Sequence, residues 1–301
     1  MIQATSNSSY RTTEVAVRGG NLHTALWGPE DPAAPTILAV HGVTASHKAW
    51  PALAQALPDI RIIAPDLRGR GRSNALPAPY GMPSHAEDLA AVLAALSTGP
   101  VVVVGHSMGA FASVVLANLY PERVRSLVLV DGGLPLQVPV GLSDEQIVAA
   151  VLGPAAERLN ATFASREVYR SFWRQHPAFS ADWSPLVEEY VDYDLTGEAP
   201  VFRPATRYQA MADDTAELHR GASLLKALEE LAVETLVLRA PRGLLNEPGG
   251  LYAPGYLDAW AEKLPALTVR EIPDVNHYTI VMGGAGAAAV ADTVREALAV
   301  A

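Results

Sequence analysis

Four consecutive valines, Val101-Val102-Val103-Val104, run directly into Gly105-His106-Ser107-Met108-Gly109, and residues 110–119 continue with helical patterning. An apolar β-branched run is a strand signal, so the pentapeptide sits where a strand turns sharply into a helix. Gly-x-Ser-x-Gly in that context is a nucleophile elbow. A serine at the apex of so tight a turn occupies strained backbone, and neighbours without a Cβ let strand and helix approach closely. Its hydroxyl then projects from the sheet edge, while the start of the helix aims N–H groups at any oxyanion forming there.

Two other segments fit around this turn. Thr36-Ile37-Leu38-Ala39-Val40 reads as a strand ending in His41-Gly42-Val43-Thr44. A turn there can set the Val43 N–H beside the Met108 N–H, giving the pair of donors an oxyanion hole needs. Near the C-terminus, the alternating run Leu267-Thr268-Val269-Arg270-Glu271-Ile272 is followed by Asp274-Val275-Asn276-His277. A histidine in a loop after the last strand can take a proton from Ser107 and return it to a leaving group.

The His-Gly turn after the third strand, the Ser elbow after the fifth and the late histidine, in that order, resemble the α/β-hydrolase family over nearly the whole chain. The resemblance implies a mostly parallel eight-stranded sheet flanked by helices, with a helical cap inserted after the sixth strand. It also covers Asp66-Leu67-Arg68-Gly69-Arg70-Gly71-Arg72-Ser73. Those three arginines read alone as an anion site, but the resemblance implies a structural loop beside the active site, tied together by Asp66 and Arg68.

Alternation of apolar runs with amphipathic stretches along the chain agrees with a parallel sheet covered on both faces. Strands are expected at 14–17, 22–27, 36–40, 61–64, 101–105, 126–130, 235–239 and 267–272, and helices at 50–57, 84–96, 108–120, 223–231, 255–264 and 285–300. One interval breaks the pattern. Residues 134–219 show no clear buried strand and read as helices, with helix starts at Ser143-Asp144-Glu145-Gln146 and Ser165-Arg166-Glu167-Val168. They hold Phe163, Tyr169, Phe172, Trp173, Phe179, Trp183, Tyr190, Tyr193, Phe202 and Tyr208, half of the chain's aromatics. These rings either pack into a small core of their own or, as the resemblance implies, line an apolar pocket over Ser107. The domain expectation is a core of residues 1–133 and 220–301 with a cap of 134–219.

The acid that would orient His277 has two candidates. Asp131 follows Leu127-Val128-Leu129-Val130 directly, at the same sheet edge as Ser107, and Glu247 lies in the loop after the 235–239 strand. Most members of the family take the acid from that later loop, usually as Asp in a Gly-x-x-Asp-like turn. Here Ala240-Pro241-Arg242-Gly243 replaces that turn, and some relatives use an acid after the sixth strand instead. Asp131 is therefore the first choice and Glu247 the alternative. Asp274 stands too close to His277 in sequence to serve.

Composition narrows the function. Half of the residues are hydrophobic, enough for a large buried core, and the formal charge of −10 with no basic block speaks against a nucleic-acid groove. The absence of cysteine removes disulfides, thiolate zinc sites and a Cys nucleophile together. His106, inside the elbow, reads as packed or hydrogen-bonded near the sheet, and His23, His47, His85, His176 and His219 show no ligand spacing with one another, so no metal is expected. The N-terminal residues lack the basic start and apolar stretch of a signal peptide, and no membrane-spanning run is present, so a cytoplasmic protein is expected.

The expectation is a serine hydrolase cleaving carboxylic esters through an acyl-enzyme: Ser107 attacks, His277 shuttles the proton, Asp131 orients it, and the Val43 and Met108 amides hold the oxyanion. No organic cofactor is needed for that route. Serine at the elbow speaks against alkyl-ester chemistry, in which family members use Asp. Lactones, thioesters and C–C bonds beside a ketone would use the same residues, and a ligand-binding sensor could occupy the same scaffold. The expected partner is a small apolar or aromatic ester, with a homodimer left open.

Overall fold

The computed structural model describes residues 9–138, 141, 143, 146 and 154–299. Eight strands form one sheet: β1 (Arg11–Val17), β2 (Gly20–Trp27), β3 (Thr36–Val40), β4 (Arg61–Pro65), β5 (Val101–His106), β6 (Val124–Val130), β9 (Thr235–Arg239) and β10 (Leu267–Glu271). Two further strands, β7 (Leu195–Glu198) and β8 (Val201–Pro204), pair with each other elsewhere. The main sheet runs β1-β2-β4-β3-β5-β6-β9-β10. Only the β1–β2 and β2–β4 pairings are antiparallel; the others are parallel.

The central strands explain the valine run. Parallel strands covered on both faces need apolar side chains in both directions. Val101 and Val103 join one hydrophobic cluster with Phe111, Leu127 and Leu129, while Val102 and Val104 join the other with Ile37, Val128 and Val130. The helix Met108–Leu119 covers the first face and the helix Gly284–Ala299 the second. All eight expected strands are present, with ends shifted by three residues at most.

Between β6 and β9 the inserted segment is built mainly of helices, including Pro154–Asn160, Arg166–Arg174, Pro185–Tyr193 and Tyr208–Glu217. The expected start at Ser165 holds, since its Oγ accepts the Val168 N–H at 3.2 Å. At the other, Asp144 and Glu145 lie outside the described residues. Ser143 and Gln146 nonetheless exchange bonds, Ser143 N–H to Gln146 Oε1 at 2.9 Å and Gln146 N–H to Ser143 Oγ at 3.3 Å. The β7–β8 hairpin corrects the all-helical reading of this interval. Its strands are four residues long, and Gly197 and Pro204 deprive them of any readable apolar run.

The buried aromatics of this segment join the hydrophobic cluster on the second face of the sheet, with Ile37, Val102 and Val104. Phe163, Tyr169, Trp173 and Phe179 are all buried, and Trp173 meets Tyr169, Phe179 and Tyr190 edge-on. Among them Arg158 pairs with Asp194 and Tyr169 and lies 5.0 Å over the Trp173 ring. A buried guanidinium is tolerable only with such a partner. Among the described residues no helix is long and apolar enough to cross a membrane.

Candidate active site

The elbow forms as its glycines require. Ser107 has φ 53° and ψ −127°, a conformation rarely adopted by residues with a side chain. A Cβ on Gly105 would stand 2.5 Å from Ala110 Cα, and one on Gly109 would stand 2.1 Å from the Val40 carbonyl oxygen. Neither clash could be relieved without parting strand from helix. Met108 opens the helix, so its N–H belongs to the first turn, whose amides lack intrahelical acceptors. The His41-Gly42 turn packs against the serine, since a Cβ on Gly42 would lie 3.1 Å from Ser107 Cβ.

His41 holds that turn from inside. Fully buried, it accepts the Leu67 N–H on Nε2 at 2.9 Å, so Nδ1 carries the proton and donates to the Gly42 carbonyl at 2.8 Å. Burial is the main reason its pKa falls to about 4.

Asp131 and His277 meet. The β5–β6 register ends with His106 opposite Val130, so Ser107 and Asp131 leave the sheet side by side. Asp131 also has positive φ, 45°. Its Oδ2 lies 2.7 Å from His277 Nδ1, and its Oδ1 accepts the Ala240 N–H at 3.1 Å. Facing a carboxylate, Nδ1 carries the imidazole proton, which leaves the lone pair on Nε2. Glu247 is exposed and its Oε2 accepts the Leu245 N–H at 2.8 Å, while Asp274 is also exposed. His106 Nε2 donates to the His277 carbonyl at 2.8 Å, and burial drives the His106 pKa well down, keeping it a neutral donor.

Ser107 and His277 line one cavity of about 670 Å³, counted out to its open mouth. Its walls are mainly apolar, with Val43, Phe111, Leu136, Leu218, Leu251 and Val281 among them. Of the ten aromatics in the insertion only Tyr190 is found in this lining. Nor do Lys, Arg, Asp or Glu occur among the described lining residues, and residues 139–153 contain no Lys or Arg.

A model of the alpha/beta hydrolase fold family matches residues 35–283. The chain belongs to that family. Among the relatives of this α/β hydrolase is lipase LipV of Mycobacterium tuberculosis, 42% identical over 132 residues, 44% of this chain. The match spans about half, 48%, of that lipase. The 2-(acetamidomethylene)succinate hydrolase of Mesorhizobium japonicum is 27% identical over 252 residues, covering 81% of this chain and 82% of the relative. In fold, a crystal structure of E-2-(acetamidomethylene)succinate hydrolase superimposes with a TM-score of 0.78 at 23% identity, over 95% of this chain and 99% of the other. The thioesterase domain from the curacin biosynthetic pathway does so at 0.74 and 22%, over 95% and 99%. The two curated relatives are named as a lipase and a hydrolase.

The arginine-rich loop of this α/β hydrolase is structural. Arg68 makes a two-point ion pair with Asp88 at 2.7 and 2.9 Å, and both side chains are buried. Asp66 accepts the His47 N–H and Nδ1–H on Oδ1, each at 2.8 Å, and the Arg72 N–H and Tyr193 hydroxyl on Oδ2. His23, His47 and Asp66 have ligating atoms within 4.8 Å of one another, the one grouping of metal-binding residue types among the described residues. Within it, His47 Nε2 faces the Tyr10 hydroxyl at 3.0 Å and His23 Nδ1 faces Glu14 at 2.7 Å.

Two contributors escape the motif. Gly132 packs on the elbow so closely that a Cβ there would stand 2.3 Å from the Ser107 carbonyl oxygen. Asn276 shapes the histidine loop: its Oδ1 accepts the Tyr278 and Thr279 N–H groups at 3.0 and 2.9 Å, and its Nδ2 donates to Ala178 O in the insertion at 3.0 Å. An Asn one residue before the histidine, opening a short helix, is the only signal the sequence carries for it.

Proposed function

We propose that this α/β hydrolase cleaves carboxylic esters of neutral, apolar acyl groups by a serine acyl-enzyme mechanism. The observation that carries the reading is the Asp131–His277 contact at 2.7 Å, on a histidine that shares a cavity with the strained Ser107. Ser107 Oγ attacks the acyl carbon as His277 Nε2 takes its proton. The Val43 and Met108 amides hold the oxyanion, and Asp131 stabilises the imidazolium. Collapse expels the alcohol, protonated by His277; water then attacks the acyl-enzyme, with the same histidine as base, and the acid departs. Residues 134–219 act as a cap, closing the cavity from above through Tyr190 and Leu218.

An ester substrate is favoured by the lipase relative, and a neutral one by the lining. The name of the second relative specifies a succinate, a dicarboxylate. Two carboxylates would need cationic or well-oriented donor groups, and the cavity described above presents no Lys or Arg.

Initial rates on p-nitrophenyl esters of increasing acyl length, for wild type and Ser107→Ala in parallel, test the reading. Turnover by wild type that vanishes in the variant is the expected result. A folded wild type without turnover would overturn it and return weight to thioesters, C–C bonds or a sensor.

A further inference from the structure

Arg70 belongs to the loop that the sequence singled out, yet it does more than hold that loop. Its guanidinium is fully buried, and each arm is engaged. Nε donates to the Val43 carbonyl at 2.9 Å. Nη1 donates to the Arg68 carbonyl at 2.9 Å and pairs with Asp214 Oδ2 at 2.5 Å. Nη2 reaches the Ala210 carbonyl at 3.2 Å and Met108 Sδ at 3.6 Å. Four hydrogen-bond acceptors and the Asp214 carboxylate thus engage all three nitrogens of the guanidinium. Two of these partners belong to Val43 and Met108, the residues whose amides form the proposed oxyanion hole. Two others belong to Ala210 and Asp214, on the helix Tyr208–Glu217 of the insertion.

Asp214 is itself firmly held. It accepts the Gly81 N–H on Oδ1 at 2.6 Å and faces His85 Nε2 at 2.9 Å. Burial pushes its carboxyl up, but Arg70, His85 and the Gly81 amide outweigh burial and hold it at about 2. The pair is therefore charged and has no solvent to reorganise into. The start of the same helix is pinned to the loop as well, Arg207 N–H donating to the Gly69 carbonyl at 2.9 Å.

We propose that Arg70 is a positioning residue for the oxyanion hole, clamping Val43 and Met108 together and tying their alignment to the seating of the cap helix through Asp214. This rests on the assignment of the Val43 and Met108 amides as oxyanion donors. An oxyanion hole works because its donors are fixed before the charge arrives, so a clamp on both residues acts on the transition state and little on substrate binding. Lysine cannot replace it, because a single ammonium lacks the planar fork that serves five directions.

The test compares wild type, Arg70→Lys and Asp214→Asn on one p-nitrophenyl ester, together with the affinity of an alkylboronic acid, whose tetrahedral adduct on Ser107 needs the amides. Near-UV circular dichroism and thermal melting establish that each variant is folded. The expected result is a kcat lower by about 10- to 100-fold, KM little changed, and boronate affinity falling in parallel with kcat. Asp214→Asn contacts neither Val43 nor Met108, so the same pattern there shows transmission from the cap side. The double variant should lose little more than either single one, because the two residues act as a unit. Folded variants with wild-type kcat and boronate affinity, or with the loss confined to KM, overturn the proposal. Should Arg70→Lys fail to fold, Asp214→Asn decides by the same readouts. A wild type that shows no Ser107-dependent turnover sinks the parent reading instead, so the two failures are distinguishable.

Discussion

His277 Nδ1 lies 2.7 Å from Asp131 Oδ2 although 146 positions of chain separate the two residues. The contact exists because β5 and β6 are ladder neighbours and release Ser107 and Asp131 at the same edge. The acid therefore reaches the histidine from the serine's own strand pair, and the loop after β9 gives Asp131 a backbone amide in place of a carboxylate of its own.

That arrangement predicts a sharp contrast between the two candidate acids. Asp131→Asn should lower kcat by about 10³- to 10⁴-fold, because an amide cannot stabilise the imidazolium and favours the wrong tautomer. Glu247→Gln should stay within about twofold of wild type, as expected of an exposed group remote from the chemistry. Steady-state rates of both variants on the same ester decide it; a larger loss at Glu247 would reverse the assignment.

Gly132→Ala probes the packing under the elbow. The added methyl would sit 2.3 Å from the Ser107 carbonyl, against backbone that cannot yield cheaply. A destabilisation of about 2 kcal/mol or more is expected, with activity lost ahead of global unfolding. Melting temperature and rate, measured on the same preparation, check both halves; an unchanged melting point would show that the turn relaxes freely.

Cap variants should separate substrate selection from cap stability. Tyr190→Ala opens the cavity and is expected to move the acyl-length optimum toward longer chains. Trp173→Phe, set among buried aromatics outside the cavity lining, should reduce stability and leave that optimum in place. Profiles of kcat/KM across an acyl series give the answer, and an optimum that follows Trp173 would mean those aromatics extend into the cavity.

Acid should weaken the fold before it attacks the surface carboxylates. Unfolded His41 takes up its proton near pH 6.5, whereas the buried folded one resists until about 4. In that window the unfolded state binds more protons, so stability falls as pH falls, by roughly 3 kcal/mol across the whole interval. His106, also lowered mainly by burial, acts with the same sign. Urea midpoints from pH 7.5 to 4.5 should decline steadily for wild type and more gently for His41→Asn; a flat wild-type profile between 6.5 and 5 would refute the linkage.

The strands and the elbow were legible because burial on both faces forces continuous apolar runs, and because a strained serine needs glycines around it. Asp131 and Glu247 were not separable on the same footing. Both follow strands, and only the pairing of His106 with Val130 shows which carboxylate stands next to the serine. The aromatics of 134–219 were visible as a group, yet their directions depend on how short helices pack on one another, which spacing does not encode. Arg70 illustrates the limit most plainly. Its acceptors lie 27, 38 and 140 positions away at Val43, Met108 and Ala210, and nothing local to the loop announces them.

The Ala240 amide has a consequence for how such a protein diversifies. A main-chain donor persists through any replacement of its side chain except proline, so the bond to Asp131 does not depend on the side chain at 240. The stretch that follows, residues 241–248, need not supply the acid and still places Leu244 in the cavity lining, while Asn246 and Arg242 tie it to the histidine loop. Around those ties selection can rewrite that rim, in length or polarity, and alter which molecules enter without disturbing the charge balance beneath it. The machinery is inherited through the backbone, and the doorway is free to drift.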